Sequence, residues 1–193
     1  MKGFSVKKLK EKLSIGIIGV QMGCGATHLA IALANYLQSG LGRRTALLEL
    51  SGKNDLKEMM LRVGDKKQKL LGVRYYTGIC VGKIPEIMNS RFEAFVLDLG
   101  ADYTLAREEL LRCDRKIVVG STCPWRSSAY GHFLKNVIAT ENFEAWEFLS
   151  VFANMQDKKN VQKRFGVHLL SVPFIENPFY LKKEDIVFLQ NII

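Results

Sequence analysis

Short apolar runs alternate with longer mixed stretches along almost the whole chain. The first run, SIGIIGV at 14–20, is rich in Ile and has no polar break, which predicts a strand buried on both faces. A glycine-rich turn, QMGCGA, follows it. THLAIALANYLQS at 27–39 then carries Ala and Leu at helical density and should end near Gly40. The alternation repeats. RTALLEL at 44–50 predicts a strand, and NDLKEMMLRV at 54–63 a helix capped by Asn54 or Asp55. FEAFVLDLG at 92–100 predicts a buried strand, and TLAREELLRC at 104–113 a helix with Thr104 at its cap. KIVVGST at 116–122 predicts a strand and SSAYGHFLKNVIAT at 127–140 a helix. EFLSVFANM at 147–155 reads as a strand, KNVQKRFG at 159–166 as a short helix ended by its glycine, and HLLSVPF at 168–174 as the last strand. An amphipathic helix, LKKEDIVFLQNII, closes the chain at 181–193. Only 70–90 resists, with GVRYYT and ICVGKI read as short strands or extended segments.

Strand, helix, strand in regular order predicts an α/β fold: a mostly parallel sheet with helices on both faces. The strand at 15–20 belongs near the centre, with 95–99 and 117–120 beside it. The expected organisation is one domain over 1–193, preceded by a basic N-terminal arm at 1–13. In that arm Phe4, Val6, Leu9 and Leu13 share one side of a short helix, or the segment is a solvated tail.

Composition narrows the class. With 193 residues and 48% apolar content the chain can bury one sizeable core. No apolar run approaches the roughly 20 residues that span a bilayer, and the N-terminus lacks the apolar region of a secretory signal. Cys24, Cys80, Cys113 and Cys123 form no CxxC pair, and with His28, His132 and His168 they give no zinc spacing. Reduced thiols and a cytoplasmic location, with peripheral placement at an inner membrane face left open, are the expectation. A net charge of +9 favours anionic partners: nucleic acid, an acidic membrane surface or phosphate ligands. It does not choose among them, and solubility alone would account for it.

The chemistry concentrates in Gly19-Val20-Gln21-Met22-Gly23-Cys24-Gly25-Ala26-Thr27-His28. A glycine turn between a strand and a helix is the setting of a phosphate loop. Its glycines let backbone N–H groups converge on an anion, and the helix N-terminus adds unpaired N–H groups. Thr27 stands where a hydroxyl would hold Mg²⁺. Asp98, at a strand's carboxyl end, stands where a second metal ligand would sit or where a plain loop cap would serve. A full motif reads GxxxxGK followed by Ser or Thr, and here the lysine position is Ala26. Alanine cannot follow the charge that develops in phosphoryl transfer. Cys24 is either a reactive thiol at a helix N-terminus or a plain small residue. His28 is a phosphate contact or a packing residue.

This segment resembles the deviant phosphate loop of the MinD/ParA family, KGGxGKT followed by Ser or Thr. Gln21 takes the place of the signature lysine, Met22 of the first glycine and Ala26 of the second lysine, while Gly23, Gly25 and Thr27 match. The family's DxD strand end is similar to Glu49-Leu50-Ser51, with Ser51 in place of the catalytic aspartate. VLDLG, STCP, Ala153-Asn154-Met155 and SVPFIENP are similar to later family segments. The resemblance implies a nucleotide site of Gly23, Cys24, Gly25, Ala26, Thr27 and His28, with Asn154, Pro173 and Phe174 near the base and Thr27 and Asp98 near a metal. It implies ATP or ADP with Mg²⁺, or phosphate or sulfate alone. Loss of both lysines and the aspartate implies a catalytically degenerate scaffold, similar to localisation factors of the CpaE/TadZ type. Protein partners in secretion or pilus machinery, and a homodimer, are implied with it. Two rivals stay open: an active ATPase that borrows a lysine, with Lys53 the nearest candidate, and a DNA- or membrane-surface binder that uses no nucleotide. GATHLAIALA is also similar to the helix start of the IstB/DnaC group of AAA+ ATPases, which would require a helical lid after the core.

Overall fold

The computed structural model describes residues 11–64, 68–152 and 154–193. Its axis is β1 (Leu13–Gly19), every residue of which is buried. On one side β1 pairs in parallel with β5 (Ala94–Asp98), on the other with β6 (Arg115–Ser121). Beyond β5 lie β2 (Thr45–Glu49) and β4 (Val73–Tyr76), both parallel, and then the two-residue β3 (Lys69–Leu70), antiparallel to β4. Beyond β6 come β7 (Trp146–Val151) and β8 (Leu169–Ser171), also parallel. Among the described residues the order is thus β3-β4-β2-β5-β1-β6-β7-β8.

Successive strand residues point to opposite faces, so each apolar run feeds two cores. Ile15, Ile17, Leu47, Val96, Ile117 and Val119 face one layer, made of α1 (Ala26–Asn35), α2 (Asp55–Val63) and α7 (Lys183–Asn191). Ile18, Leu48, Phe95, Leu97 and Val118 face the other, with α3 (Ile84–Met88), α4 (Tyr103–Arg112), α5 (Ser127–Thr140) and α6 (Met155–Phe165). That double burial is why the middles of β1, β5 and β6 carry no polar side chain. Ile186 and Leu189 of α7, with Ile192 and Ile193 just after it, pack into the first core, so the apolar side of the terminal helix is covered.

Several local expectations are corrected. Leu13 begins β1 and is buried rather than standing on an arm helix, while residues 1–10 lie outside the described part. ICVGKI is not extended. It turns through a 3₁₀ segment, Val81–Lys83, into α3, where Pro85 occupies the first turn and its fixed φ suits a helix start. The cap of α4 is Asp102, whose side chain accepts from Leu105 N, and Thr104 lies inside the helix. α1 continues into a π-helical turn, Tyr36–Gly40, that ends at the expected glycine. β7 stops at Val151, and α6 starts four residues earlier than its sequence pattern suggests, because Asn154 caps it. Ala153 lies outside the described residues. β8 is shorter than the run HLLSVPF, since Pro173 cannot donate to a ladder. After β8 only α7 remains, so the lid that the second resemblance requires has no counterpart among the described residues.

Candidate functional site

The glycine turn leaves the sheet at its centre. Gly19 N donates to Gly100 O at 2.7 Å and Val20 N to Val119 O at 2.9 Å, so the turn is tied to the strands on both sides of β1. It then passes through Gly23 at φ 71° and Gly25 at φ 91°. Both values lie in the left-handed region that side chains avoid. A Cβ added at either would meet no atom within 4 Å, so the space above the turn is open. Gly25 occupies the N-cap of α1 without any capping side chain, and the first turn holds no acid. The leading N–H groups of α1 therefore face that space under a positive helix end. Cys24 is different in kind. Its thiol is buried against Gly19, and burial raises its pKa, which makes it a packing group and not a reactive one.

Thr27 and Asp98, 71 residues apart, meet at the bottom of the site. Thr27 Oγ1 donates to Asp98 Oδ2 at 2.7 Å, and Gly100 N donates to Asp98 Oδ1 at 3.3 Å. Asp98 is fully buried, and loss of solvent raises its pKa, opposed by those two hydrogen bonds and by the charge of Lys53. Glu49 is the Cα partner of Asp98 on the neighbouring strand. Its Oε1 accepts from Leu56 N at 2.8 Å, so it caps α2 from seven residues upstream, while Oε2 is buried without a partner. Burial first, then repulsion from Asp98 and Asp55, raises its pKa as well. Among the described residues no three His, Cys, Asp or Glu side chains form a metal cage. A divalent ion here would take Thr27, Asp98 through water, and ligand oxygens, as Mg²⁺ commonly does.

Two cavities meet over the turn. One, of about 290 Å³, has a mixed lining that holds the polar and charged groups: Gly23 to His28 together with Gln21, Lys53, Asp55, Gly100 and Ala101. The other, of about 410 Å³, is mainly apolar and is walled by Leu29, Val119, Phe152, Val172, Pro173 and Phe174. They share Gly23, Cys24, Gly25 and His28, so an anion-sized space opens into an apolar slot. His28 Nε2 bonds to Ile175 O at 2.8 Å, which ties the turn to the segment bearing Pro173 and Phe174.

The structure therefore brings together Gly23, Cys24, Gly25, Ala26, Thr27, His28, Pro173 and Phe174, with Asp98 beneath. It does not bring Asn154 there. Asn154 Oδ1 accepts from Asp157 N at 2.8 Å as the cap of α6, and Asn154 lines neither cavity. Two residues gain importance from the structure. Phe152 forms part of the apolar wall, and Asp55, expected only as a cap, faces the smaller cavity beside Lys53. Strand ends and first helical turns at the carboxyl edge of a parallel sheet are where ligands bind, and that rule points to these positions. Trp125, also at this edge, is 79% exposed.

A central strand, a glycine turn opening a helix, and Thr27 bonded to buried Asp98 beneath it stand at the carboxyl edge of a mostly parallel α/β sheet. Solved structures share that fold along nearly the full chain. A plasmid partition protein of Borrelia burgdorferi B31, bound to AMPPNP, superposes with a TM-score of 0.65 at 16% identity, over 95% of this chain and 97% of that one. Cobyrinic acid a,c-diamide synthase of Mycobacterium smegmatis, with an ATP analogue and magnesium, gives 0.69 at 13% identity over 93% and 92%. The septum site-determining protein MinD of Pyrococcus horikoshii OT3, complexed with Mg-ADP, gives 0.57 at 15% identity over 93% and 94%. No family model and no curated protein matches the chain.

Proposed function

We propose that this protein is a MinD/ParA-like nucleotide-binding scaffold that holds an adenine nucleotide with Mg²⁺, hydrolyses it little or not at all, and acts through partners. The residues fit such a ligand. The backbone over Gly23 and Gly25 is open to phosphate, Thr27 and Asp98 stand ready for a metal, and the apolar slot suits a base. Nucleotide would supply the charged phosphates that complete a Mg²⁺ shell. The observation that carries the degenerate reading is Ala26. It is 8% exposed and lies in the wall of the smaller cavity, where it offers a methyl group and no charge. Ser51, in the place of the family's catalytic aspartate, offers no carboxylate. A role beside localisation factors of the CpaE/TadZ type, with secretion or pilus proteins as partners, follows from the same losses.

Steady-state phosphate release tests this. The expected rate is at background. Turnover near the enzyme median of about 10 s⁻¹ that disappears in Lys53→Ala would replace the scaffold with an ATPase that borrows its lysine.

A further inference from the structure

The segment that follows β2 is built to present a cation. Leu50 N continues the ladder to Asp98 O at 2.9 Å, and the backbone of Ser51 packs on Gly100, whose Cβ, if present, would lie 3.0 Å from Ser51 Cα. The chain then turns at Gly52, φ 71°, and at Asn54, φ 61°. Buried Glu49 closes the turn from below by accepting Leu56 N. Between the two turn residues stands Lys53, with an exposed side chain and no ion pair to any described residue. It lines the same 290 Å³ cavity as Ala26 and Thr27, and also the adjoining space of about 750 Å³ beside Gln21. Its charge also reaches Asp98, the buried partner of Thr27.

We infer that Lys53 supplies, within the same chain, the positive charge for the terminal phosphates of a bound nucleotide that Ala26 cannot supply. The assignment rests on the nucleotide reading of the site and adds to it a specific binding residue. A lysine on the loop itself is held by the helix, whereas Lys53 is delivered by a two-turn segment anchored on Glu49 and Gly100. The charge therefore arrives from the side of the cavity opposite the apolar slot. It acts on the far end of a di- or triphosphate and not on a single α-phosphate.

Calorimetric titration of the full chain distinguishes the parts. ATP with Mg²⁺, AMP and free pyrophosphate are titrated into the wild type, Lys53→Ala, Lys53→Arg, Ala26→Lys and the double variant Lys53→Ala/Ala26→Lys. Loss of one charge-assisted hydrogen bond should weaken ATP binding in Lys53→Ala by about 10- to 100-fold. AMP affinity should not change. Lys53→Arg should stay close to wild type, and Ala26→Lys should restore ATP binding to Lys53→Ala. Equal ATP affinity in wild type and Lys53→Ala overturns the assignment. So does a wild type that is empty at millimolar ATP while Ala26→Lys binds, because the loop then works and Lys53 does not serve it. If pyrophosphate binds as tightly as ATP with the same loss in Lys53→Ala, and AMP does not bind, the role of Lys53 stands and the nucleotide reading falls. If no variant binds any of the three, both fall together.

Discussion

Phe152 joins an unusual backbone to an exposed ring. Its φ is 51°, a region that bulky residues seldom occupy, and its ring is 77% exposed beside Pro173 and Phe174. Cys123 Sγ donates to Phe152 O at 2.8 Å and helps to hold that conformation. An aromatic face kept out of the core at the mouth of an apolar slot is suited to stacking on a base. Base stacking on an aromatic ring is worth about 1–3 kcal/mol. Phe152→Ala should therefore weaken ATP binding about tenfold or more and leave pyrophosphate binding unchanged, as measured by the same titration. Parallel losses for both ligands would mean that the ring shapes the phosphate turn instead. Phe152 was not legible in the sequence, because one more apolar residue after LSV looks like strand. The turn through Gly23 and Gly25 was legible, because a strand that passes at once into a helix needs glycines for its left-handed backbone. The Thr27–Asp98 bond was only half legible. Each residue stands out in its own segment, but the pairing depends on β1 and β5 lying side by side.

At the scale of elements, the centre of the sheet was legible and the ends of the helices were not. Buried parallel strands announce themselves by unbroken apolar runs, and β1, β5 and β6 fall where those runs predict. Caps depend on one hydrogen bond each, and neighbouring polar residues compete for it. Asp102 takes the α4 cap from Thr104. At α2 the bond comes not from Asn54 or Asp55 but from Glu49, a choice that local sequence cannot reveal. The α6 cap has a functional corollary. If Asn154 serves only as a cap, Asn154→Ala should cost about 1 kcal/mol of stability, seen as a lower urea midpoint, with ATP affinity intact. Weaker ATP binding at unchanged stability would return Asn154 to the base site that the family resemblance implies.

Over the whole molecule, the carboxyl edge of the sheet carries a stability cost that depends on pH. Asp98 and Glu49 sit side by side on central strands, and burial raises the pKa of both. The folded state thus keeps protons that the unfolded chain has released. Their contribution to stability is complete below about pH 4, where ordinary carboxylates titrate, and is lost as pH rises through the raised folded values. Asp98→Asn keeps an acceptor for Thr27 and removes one charge. Its stability should fall less steeply than that of the wild type between about pH 4 and neutrality, as read from urea unfolding at a series of pH values. Identical slopes would mean that Asp98 carries no unusual proton. The other limits of the sheet bear on assembly. β3 has two residues and includes an exposed lysine, Lys69, while β8 has three residues. Short, charged outer strands offer little backbone for a foreign strand to join. Strand addition along the flanks is therefore a poor route to aggregates or to dimers. Two copies of this chain would then meet through side chains of loops and helices, which would leave the order of the eight described strands the same alone or in company.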